Sequence, residues 1–363
     1  MQTVTPNLGE NSYPIWVDAG LLNSIGELLI PQLNGRQICM VTDREVGGRY
    51  MAQVRQSLEH EGFNVVEVVI DGGEDNKTLE TVNQILTVLL EARLDRSSAL
   101  LALGGGVVGD MAGFAAAIYL RGIDVVQVPT TILAQADSSV GGKTGVNHPV
   151  GKNLIGAFHQ PTAVVIDTDT LKTLPDREIR SGLAEVIKHG IIRDEVFFQQ
   201  LETDIPQLLS GSLPDNDLVS MTAHNCRIKA DVVSIDEKEK GLRAILNYGH
   251  TVGHAIEALT EYKRYRHGEA VLFGMQVAGR LGVRLGSWSK ADEARQNQLI
   301  QQLLTVDPPT DLDADAIANR TRSDKKVRSG QLRFVLPKRI GEVEIVDKVK
   351  DSDIVDAWKS VFG

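Results

Sequence analysis

His250 and His254 stand four residues apart in the segment NYGHTVGH (247–254), and the triplet HGE (267–269) follows soon after. On a helix that spacing projects both imidazoles from one face. A third imidazole, His267, can return to the same place after a short connection. Clustered imidazoles with a carboxylate nearby suit a catalytic Zn²⁺, which takes three protein ligands and leaves one position open. Ordinary polar helix residues are the plain alternative for an isolated pair of this kind. The segment SGLAEVIKH (181–189) supplies the carboxylate: Glu185 and Lys188 lie three apart and share a helix face, among the apolar neighbours Leu183, Ala184, Val186 and Ile187. Glu185 is therefore expected to join His250 and His267 in a His₂Glu site, with His254 as a support or a substrate contact. Lys229, Arg243 and Asn247 suit a carboxylate or a phosphate. Lys325 and Lys326 add two late cations, for which a charged loop is the alternative.

Glycine-rich segments supply a second kind of chemistry. The apolar run 99–103 leads into GGGVVGD (104–110), where Gly104, Gly106 and Gly109 satisfy G-x-G-x-x-G between a strand pattern and a helix pattern. Bare backbone there lets a pyrophosphate approach, and a helix N-terminus offers N–H donors. The usual dinucleotide fingerprint sits on the first strand of its domain; this one follows several strands, so it is a nucleotide loop of another topology or a tight strand–helix turn. A second loop, DSSVGGKTG (137–145), fails as a P-loop because Asp137 stands where the first glycine belongs. Lys143 in that loop, and Lys152 and Asn153 in GKNLIG (151–156), can still meet a phosphate as point charges and donors. Thr130 and Thr131 follow a strand pattern and can bond a cofactor, or merely cap the next helix. The segment DGGEDNK (71–77) also lies at a strand's carboxyl end, where doubly wound sheets place ligands.

The elements that must position these residues fall into two textures. Strand patterns at 15–17, 37–42, 64–70, 99–103, 125–128 and 163–166 alternate with amphipathic stretches at 44–60 and 78–92, the rhythm of a mostly parallel α/β sheet. Beyond residue 174 helical periodicity dominates, at 178–192, 195–209, 217–231 and 268–285, with one late strand pair at 332–336 and 342–345. The expected division is an α/β nucleotide-binding domain over 1–174 and a mainly helical metal- and substrate-binding domain over 175–363, with the active site in the cleft between them. A length of 363 residues fits two domains, and 42% hydrophobic with 24% charged residues is ordinary globular composition. A net charge of −10 argues against nucleic acid or an anionic membrane as partner. Two distant cysteines, Cys39 and Cys226, match no metal or redox spacing, and the N-terminal residues lack a leader pattern. A cytoplasmic chain is expected.

Taken in order, the segments 71–78, 103–114, 128–147, 151–158, 170–191, 229–257, 267–269 and 324–326 closely resemble the 3-dehydroquinate synthase family. The resemblance implies a Rossmann-like NAD-binding domain, a helical domain, a divalent metal (Zn or Co) and a homodimer. It implies metal ligation by Glu185, His250 and His267. Cofactor contacts carry over to Asp43, to Asp71, Gly72, Gly73, Glu74, Asp75, Asn76 and Lys77, and to Gly105, Gly106, Val107, Val108, Gly109 and Asp110. They continue through Thr130, Thr131, Lys143, Lys152, Thr170, Leu171, Lys172 and Thr173. Substrate contacts carry over to Asp137, Lys143, Lys152, Asn153, Lys188, Lys229, Arg243, Asn247, His254 and one of Lys325 and Lys326, with Arg121 reaching the neighbouring subunit's site. The implied reaction turns 3-deoxy-D-arabino-heptulosonate 7-phosphate into 3-dehydroquinate and phosphate. A sibling cyclase acting on sedoheptulose 7-phosphate would have little use for the cations Lys229 and Arg243. A metal-dependent polyol dehydrogenase would release NADH, and an NAD-binding regulator would not need the metal triad.

Overall fold

Alternating β-rich and amphipathic segments in the first half of the chain become a seven-stranded sheet. The computed structural model describes residues 1–322, 333–347 and 349–363. Its strands in chain order are β1 (Gln2–Val4), β2 (Ile15–Asp18), β3 (Gln37–Asp43), β4 (Asn64–Ile70), β5 (Ala99–Gly104), β6 (Asp124–Pro129), β7 (Lys143–His148), β8 (Gly151–Phe158) and β9 (Ala163–Asp167). The sheet order is β1-β2-β9-β6-β5-β3-β4, parallel throughout except for β1 against β2. The chain leaves β3 for β4 on one side and returns to β5 on the other. That reversal is a topological switch point, and it opens a crevice at the carboxyl ends of β3 and β5.

A sheet covered on both faces needs continuous apolar strands. In β5 the side chains of Leu100 and Ala102 enter one core with Val41, Ile85, Val108 and Met111, while Leu101 and Leu103 enter the other with Met40, Val54, Leu58 and Val126. Each such aliphatic side chain, fully buried, is worth about 1.5–3 kcal/mol. Burial pushes the thiols of Cys39 and Cys226 up to about 12, so both stay protonated and act as small core residues.

Two features differ from the expectation. The glycine segments after residue 142 are not loops: β7 and β8 form an antiparallel hairpin. Gly145 and Gly156 face each other across it, and a Cβ on either would come within 2.5 Å or less of a facing carbonyl oxygen. Glycine here permits close strand contact rather than a turn. The second difference is the helix Asp215–Ile235. The chain divides into one unit of residues 1–174 with 214–238 and another of 175–213 with 239–363, so this helix belongs with the sheet. Its Val219, Ala223, Cys226 and Ala230 cover Val4, Ile15, Val17, Val164 and Ile166 on the outer strands.

The second unit is mainly helical, with helices at Asp176–Arg193, Glu195–Leu209, His250–Leu259, His267–Leu285, Lys290–Leu303, Ala314–Arg322 and Asp351–Phe362. Its strand pair is β10 (Phe334–Arg339) and β11 (Glu342–Val346), antiparallel; position 332 of the expected pair lies outside the described residues. Val252, Ile256, Phe273, Ile317, Leu336 and Trp358 meet in its core. Among the described residues no helix is long and apolar enough to cross a membrane.

Candidate active site

Glycines decide how the second unit assembles its polar cluster. A Cβ on Gly268 would lie 1.8 Å from the carbonyl oxygen of Ser181, and one on Gly274 would lie 2.0 Å from that of Gly249. Three helices therefore meet backbone to backbone. Ser181 Oγ accepts from Gly268 N at 3.2 Å, and Glu185 stands one turn beyond Ser181 on the same face. Glu269 completes the HGE triplet by accepting from Arg266 N at 2.8 Å and taking a two-pronged grip from Arg177 at 2.7 and 2.9 Å. His267 is thereby fixed at a helix start beside Glu185.

Ligand atoms of Glu185, His250 and His267 all lie within 4.8 Å of one another. Glu185 Oε1 is 3.6 Å from His250 Nε2 and 3.8 Å from His267 Nε2, too long for hydrogen bonds. Donors bound about 2.0–2.2 Å from one tetrahedral ion would stand only slightly closer together. The same Oε1 is buried and accepts no hydrogen bond among the described residues. A buried carboxylate oxygen left so would be costly, and a divalent cation between the three donors would satisfy it. Glu185 Oε2 accepts from the buried ammonium of Lys188. His250 Nδ1 stands 3.2 Å from the Tyr248 carbonyl, which keeps its proton there and turns the Nε2 lone pair inward. His267 Nδ1 lies 3.3 Å from Glu257 Oε2. The ring of His254 lies 5.4 Å from that of His250 and 6.0 Å from that of His267. Arg243, 2% exposed, sits on the 3₁₀ turn Leu242–Asn247, whose Asn247 donates to Glu239 Oε1 at 2.9 Å.

In the first unit the strand ends carry the candidate cofactor residues. Asp43 closes β3 and caps the next turn by accepting from Glu45 N and Val46 N at 2.9 Å; a Cβ on Gly72 would stand 3.3 Å from its own Cβ. Gly105 caps the helix Gly106–Ile118, in which a Cβ on Gly109 would press on the end of the Gln127 side chain, 2.7 Å from its Oε1. Gln127, buried in β6, also donates to the Gly109 carbonyl at 3.1 Å. Val107 follows at the helix start, while the side chain of Val108 goes into the core. Of the two threonines after β6, Thr131 caps the following turn through Ala134 N at 3.1 Å. Thr130 keeps a buried hydroxyl with no partner among the described residues, at the strand end where a nucleotide would lie.

Lys77, 4% exposed, donates to Asp110 Oδ2 at 2.5 Å and Asn153 Oδ1 at 2.6 Å. Burial pushes the Asp110 carboxyl up while the Lys77 ammonium pulls it back toward ionisation. Asn147, which the sequence reading did not single out, ties this group together. Its Nδ2 donates to Glu74 Oε1 at 2.8 Å, its Oδ1 accepts from Asn153 N at 2.9 Å, and its own N donates to the Lys77 carbonyl at 2.8 Å. Asn153 is held in the left-handed region, φ 51°. Lys152 precedes it on β8, and Lys143 begins β7. Lys229 pairs with Asp137 at 2.5 Å.

Other candidates have plainer surroundings. Asp71 pairs with Arg44 on the surface, Asp75 is exposed, and Asn76 donates to the Gly72 carbonyl across the turn that Gly73 makes at φ 94°. Lys172 bridges Asp169 and Asp215 in the open, and Leu171 is buried. Thr170 accepts from Gln135 at 3.1 Å, and Thr173 shares a hydrogen bond with Tyr50 at 2.5 Å. Arg121 is exposed on a left-handed turn, φ 72°. Lys325 and Lys326 lie outside the described residues.

A parallel sheet with a switch-point glycine turn, followed by helices carrying an imidazole–carboxylate triad, is the two-domain architecture of the sugar-phosphate cyclases. Among solved structures the chain is similar to a 2-epi-5-epi-valiolone synthase from Streptomyces hygroscopicus with NAD⁺ and Zn²⁺ bound, at TM-score 0.87 and 27% identity over 96% of each chain. It is equally similar to a 2-deoxy-scyllo-inosose synthase complexed with carbaglucose-6-phosphate, NAD⁺ and Co²⁺, at TM-score 0.87 and 28% identity over 99% of each. A glycerol dehydrogenase from Schizosaccharomyces pombe, at TM-score 0.67 and 16% identity over 99% of this chain and 90% of that one, shares the fold. Sequence narrows the class. Residues 67–181 match the 3-dehydroquinate synthase N-terminal family and residues 182–327 the 3-dehydroquinate synthase C-terminal family, and the chain belongs to the 3-dehydroquinate synthases. Its relatives include 3-dehydroquinate synthases of Cyanothece sp., 50% identical over 99% of both chains, and of Pelotomaculum thermopropionicum, 49% identical over 100% of this chain and 98% of the other.

Proposed function

We propose that the chain converts 3-deoxy-D-arabino-heptulosonate 7-phosphate to 3-dehydroquinate and phosphate, using NAD and a divalent metal, Zn or Co. The observation that carries this reading is the Glu185–His250–His267 triad, set in a chain half identical to 3-dehydroquinate synthases along nearly its whole length. The reaction comprises transient oxidation, β-elimination of phosphate, re-reduction, ring opening and an intramolecular aldol closure. When bound, NAD accepts and returns hydride, while the metal polarises the reacting alcohol.

The chain's own residues bind and orient. In the first unit the switch-point turn Gly105–Asp110 with Thr130 and Asp43 receives the nucleotide, and Lys152 and Asn153 meet the substrate phosphate. In the second unit Glu185, His250 and His267 hold the metal, Lys188 offers its ammonium to phosphate, and His254 and Asn247 contact the sugar. Arg243 suits the substrate carboxylate through its planar fork, with Lys229 as the second cation. A cyclase for sedoheptulose 7-phosphate, which lacks that carboxylate, leaves Lys229 and Arg243 without a task. A cytoplasmic homodimer completes the reading, with exposed Arg121 reaching the neighbouring subunit.

The test is one reaction mixture of protein, NAD⁺, Zn²⁺ and the heptulosonate phosphate, followed for phosphate, dehydroquinate and NADH together. Equal phosphate and dehydroquinate without accumulating NADH is the expected result. Stoichiometric NADH would make the protein a dehydrogenase, and phosphate release from sedoheptulose 7-phosphate alone would make it a sibling cyclase.

Asn147 gives a narrower check. Asn147→Ala removes the bonds to Glu74 Oε1 and Asn153 N, worth about 1 kcal/mol each. KM for the phosphate substrate is expected to rise about tenfold or more while kcat changes much less. An unchanged KM would show that Asn153 keeps its place without Asn147.

A further inference from the structure

We propose that Glu257 is a positioning residue for His267, setting the tautomer and basicity of that ligand; this rests on the metal reading of the triad. Glu257 lies on the helix His250–Leu259, three residues after His254 and seven after His250, and so shares their face. Its side chain is buried, 3% exposed, and its Oε2 stands 3.3 Å from His267 Nδ1. Ligand atoms of His254, Glu257 and His267 lie within 4.8 Å of one another.

An imidazole binds a metal through one nitrogen while the other keeps its proton, and the partner of that second nitrogen fixes which is which. His267 presents Nε2 to Glu185 and Nδ1 to Glu257. A carboxylate on the Nδ1 proton holds the ring plane and makes Nε2 a stronger donor than a neutral partner would. His250 Nδ1 stands against a backbone carbonyl, that of Tyr248. The distinction falls on the right residue: the side chain of His267 is 30% exposed and that of His250 is 9% exposed, so His267 has more freedom to turn toward water. The three-residue step from His254 places a carboxylate oxygen of the same side chain within 4.8 Å of a ring nitrogen of that second imidazole.

The experiment is competition for Co²⁺ between the metal-stripped full chain and a chelator of known affinity, with metal stoichiometry and the visible Co²⁺ spectrum recorded on the same samples. Wild type is expected to take one Co²⁺ per chain. Glu257→Ala is expected to bind about 10–100-fold more weakly. Glu257→Gln keeps the shape and an acceptor oxygen, and is expected to fall between the two. Both variants should shift the Co²⁺ absorption bands, which a purely structural contribution to the helix would leave in place. The isosteric glutamine variant keeps the test valid if the alanine variant folds poorly. Unchanged affinity and spectrum in Glu257→Gln and Glu257→Ala would overturn the proposal. Two Co²⁺ per wild-type chain, one of them lost in the variants, would also overturn it by making Glu257 a ligand in its own right. A wild-type chain that takes no Co²⁺ would remove the triad reading together with this one, a result distinct from either.

Discussion

Glu185→Gln is expected to lower kcat/KM by a thousandfold or more, the worth of the several kcal/mol that a bound divalent ion contributes to charge stabilisation. The substitution keeps the size of the side chain and removes its charge. Two consequences separate at once. The buried Oε1 loses its ability to hold a cation between His250 Nε2 and His267 Nε2. The buried ammonium of Lys188 loses its counter-charge, and breaking a buried pair from one side costs about 3–5 kcal/mol. A thermal melt with and without Zn²⁺ resolves them. Saturating metal at a thousand times its Kd stabilises a binding-competent chain by about 4 kcal/mol, and Glu185→Gln should show little of that rise. Lys188→Met should show the opposite: weaker alone, but gaining more than wild type from Zn²⁺, because the ion then supplies the positive charge that Lys188 no longer provides. A Zn²⁺-dependent rise in Glu185→Gln equal to that of wild type would remove Glu185 from the metal site.

Gly268→Ala is expected to cost about 3 kcal/mol, the upper end of the range for forcing atoms into a packed interior. Its Cβ would stand 1.8 Å from the carbonyl oxygen and 2.5 Å from the carbonyl carbon of Ser181. Both are backbone atoms of a facing helix, so no side chain can turn aside; the helices must part. Parting them moves His267 away from Glu185, so metal affinity should fall with stability. For a unit of this size the melting temperature should drop by roughly 10 °C. Gly48→Ala is the control, since nothing lies within 4 Å of its Cβ. It should be neutral or stabilising by about 0.4–1 kcal/mol. Equal melting temperatures for the two variants would show that the helix contact is not what requires glycine at 268.

The pieces of the Glu185–His250–His267 cluster were legible from local patterns, although the fold alone brings the three together. His250 and His254 are one turn apart, Glu185 sits within an apolar helix, and His267 begins a helix after a short connection. Glu257 lies on the same face at the same period, yet a carboxylate near a helix end reads as solvent-exposed unless something marks its burial. Asn147 carried no local signal at all. Its partners are at 74, 77 and 153, and only the fold brings them together. The hairpin of β7 and β8 was misread because glycine ordinarily marks turns, whereas Gly145 and Gly156 are there to let two strands touch. The helix Asp215–Ile235 was legible as amphipathic, but periodicity tells which face is buried and not what buries it; its partners begin with Val4.

That helix has a consequence for how the protein is made. The chain completes the first 174 residues, runs through 175–213 in the second unit, and only then supplies the segment 214–238 that covers β1, β2 and β9. During synthesis, Ile15, Val17, Val164 and Ile166 have no apolar cover from Val219, Ala223 and Ala230 until those residues leave the ribosome. Domains emerging from the N-terminus usually fold as they appear. Here the first unit must wait about 60 residues past its last strand, a span of several seconds at ordinary rates of translation. Through that interval the nascent sheet carries an uncovered apolar face over β1, β2 and β9.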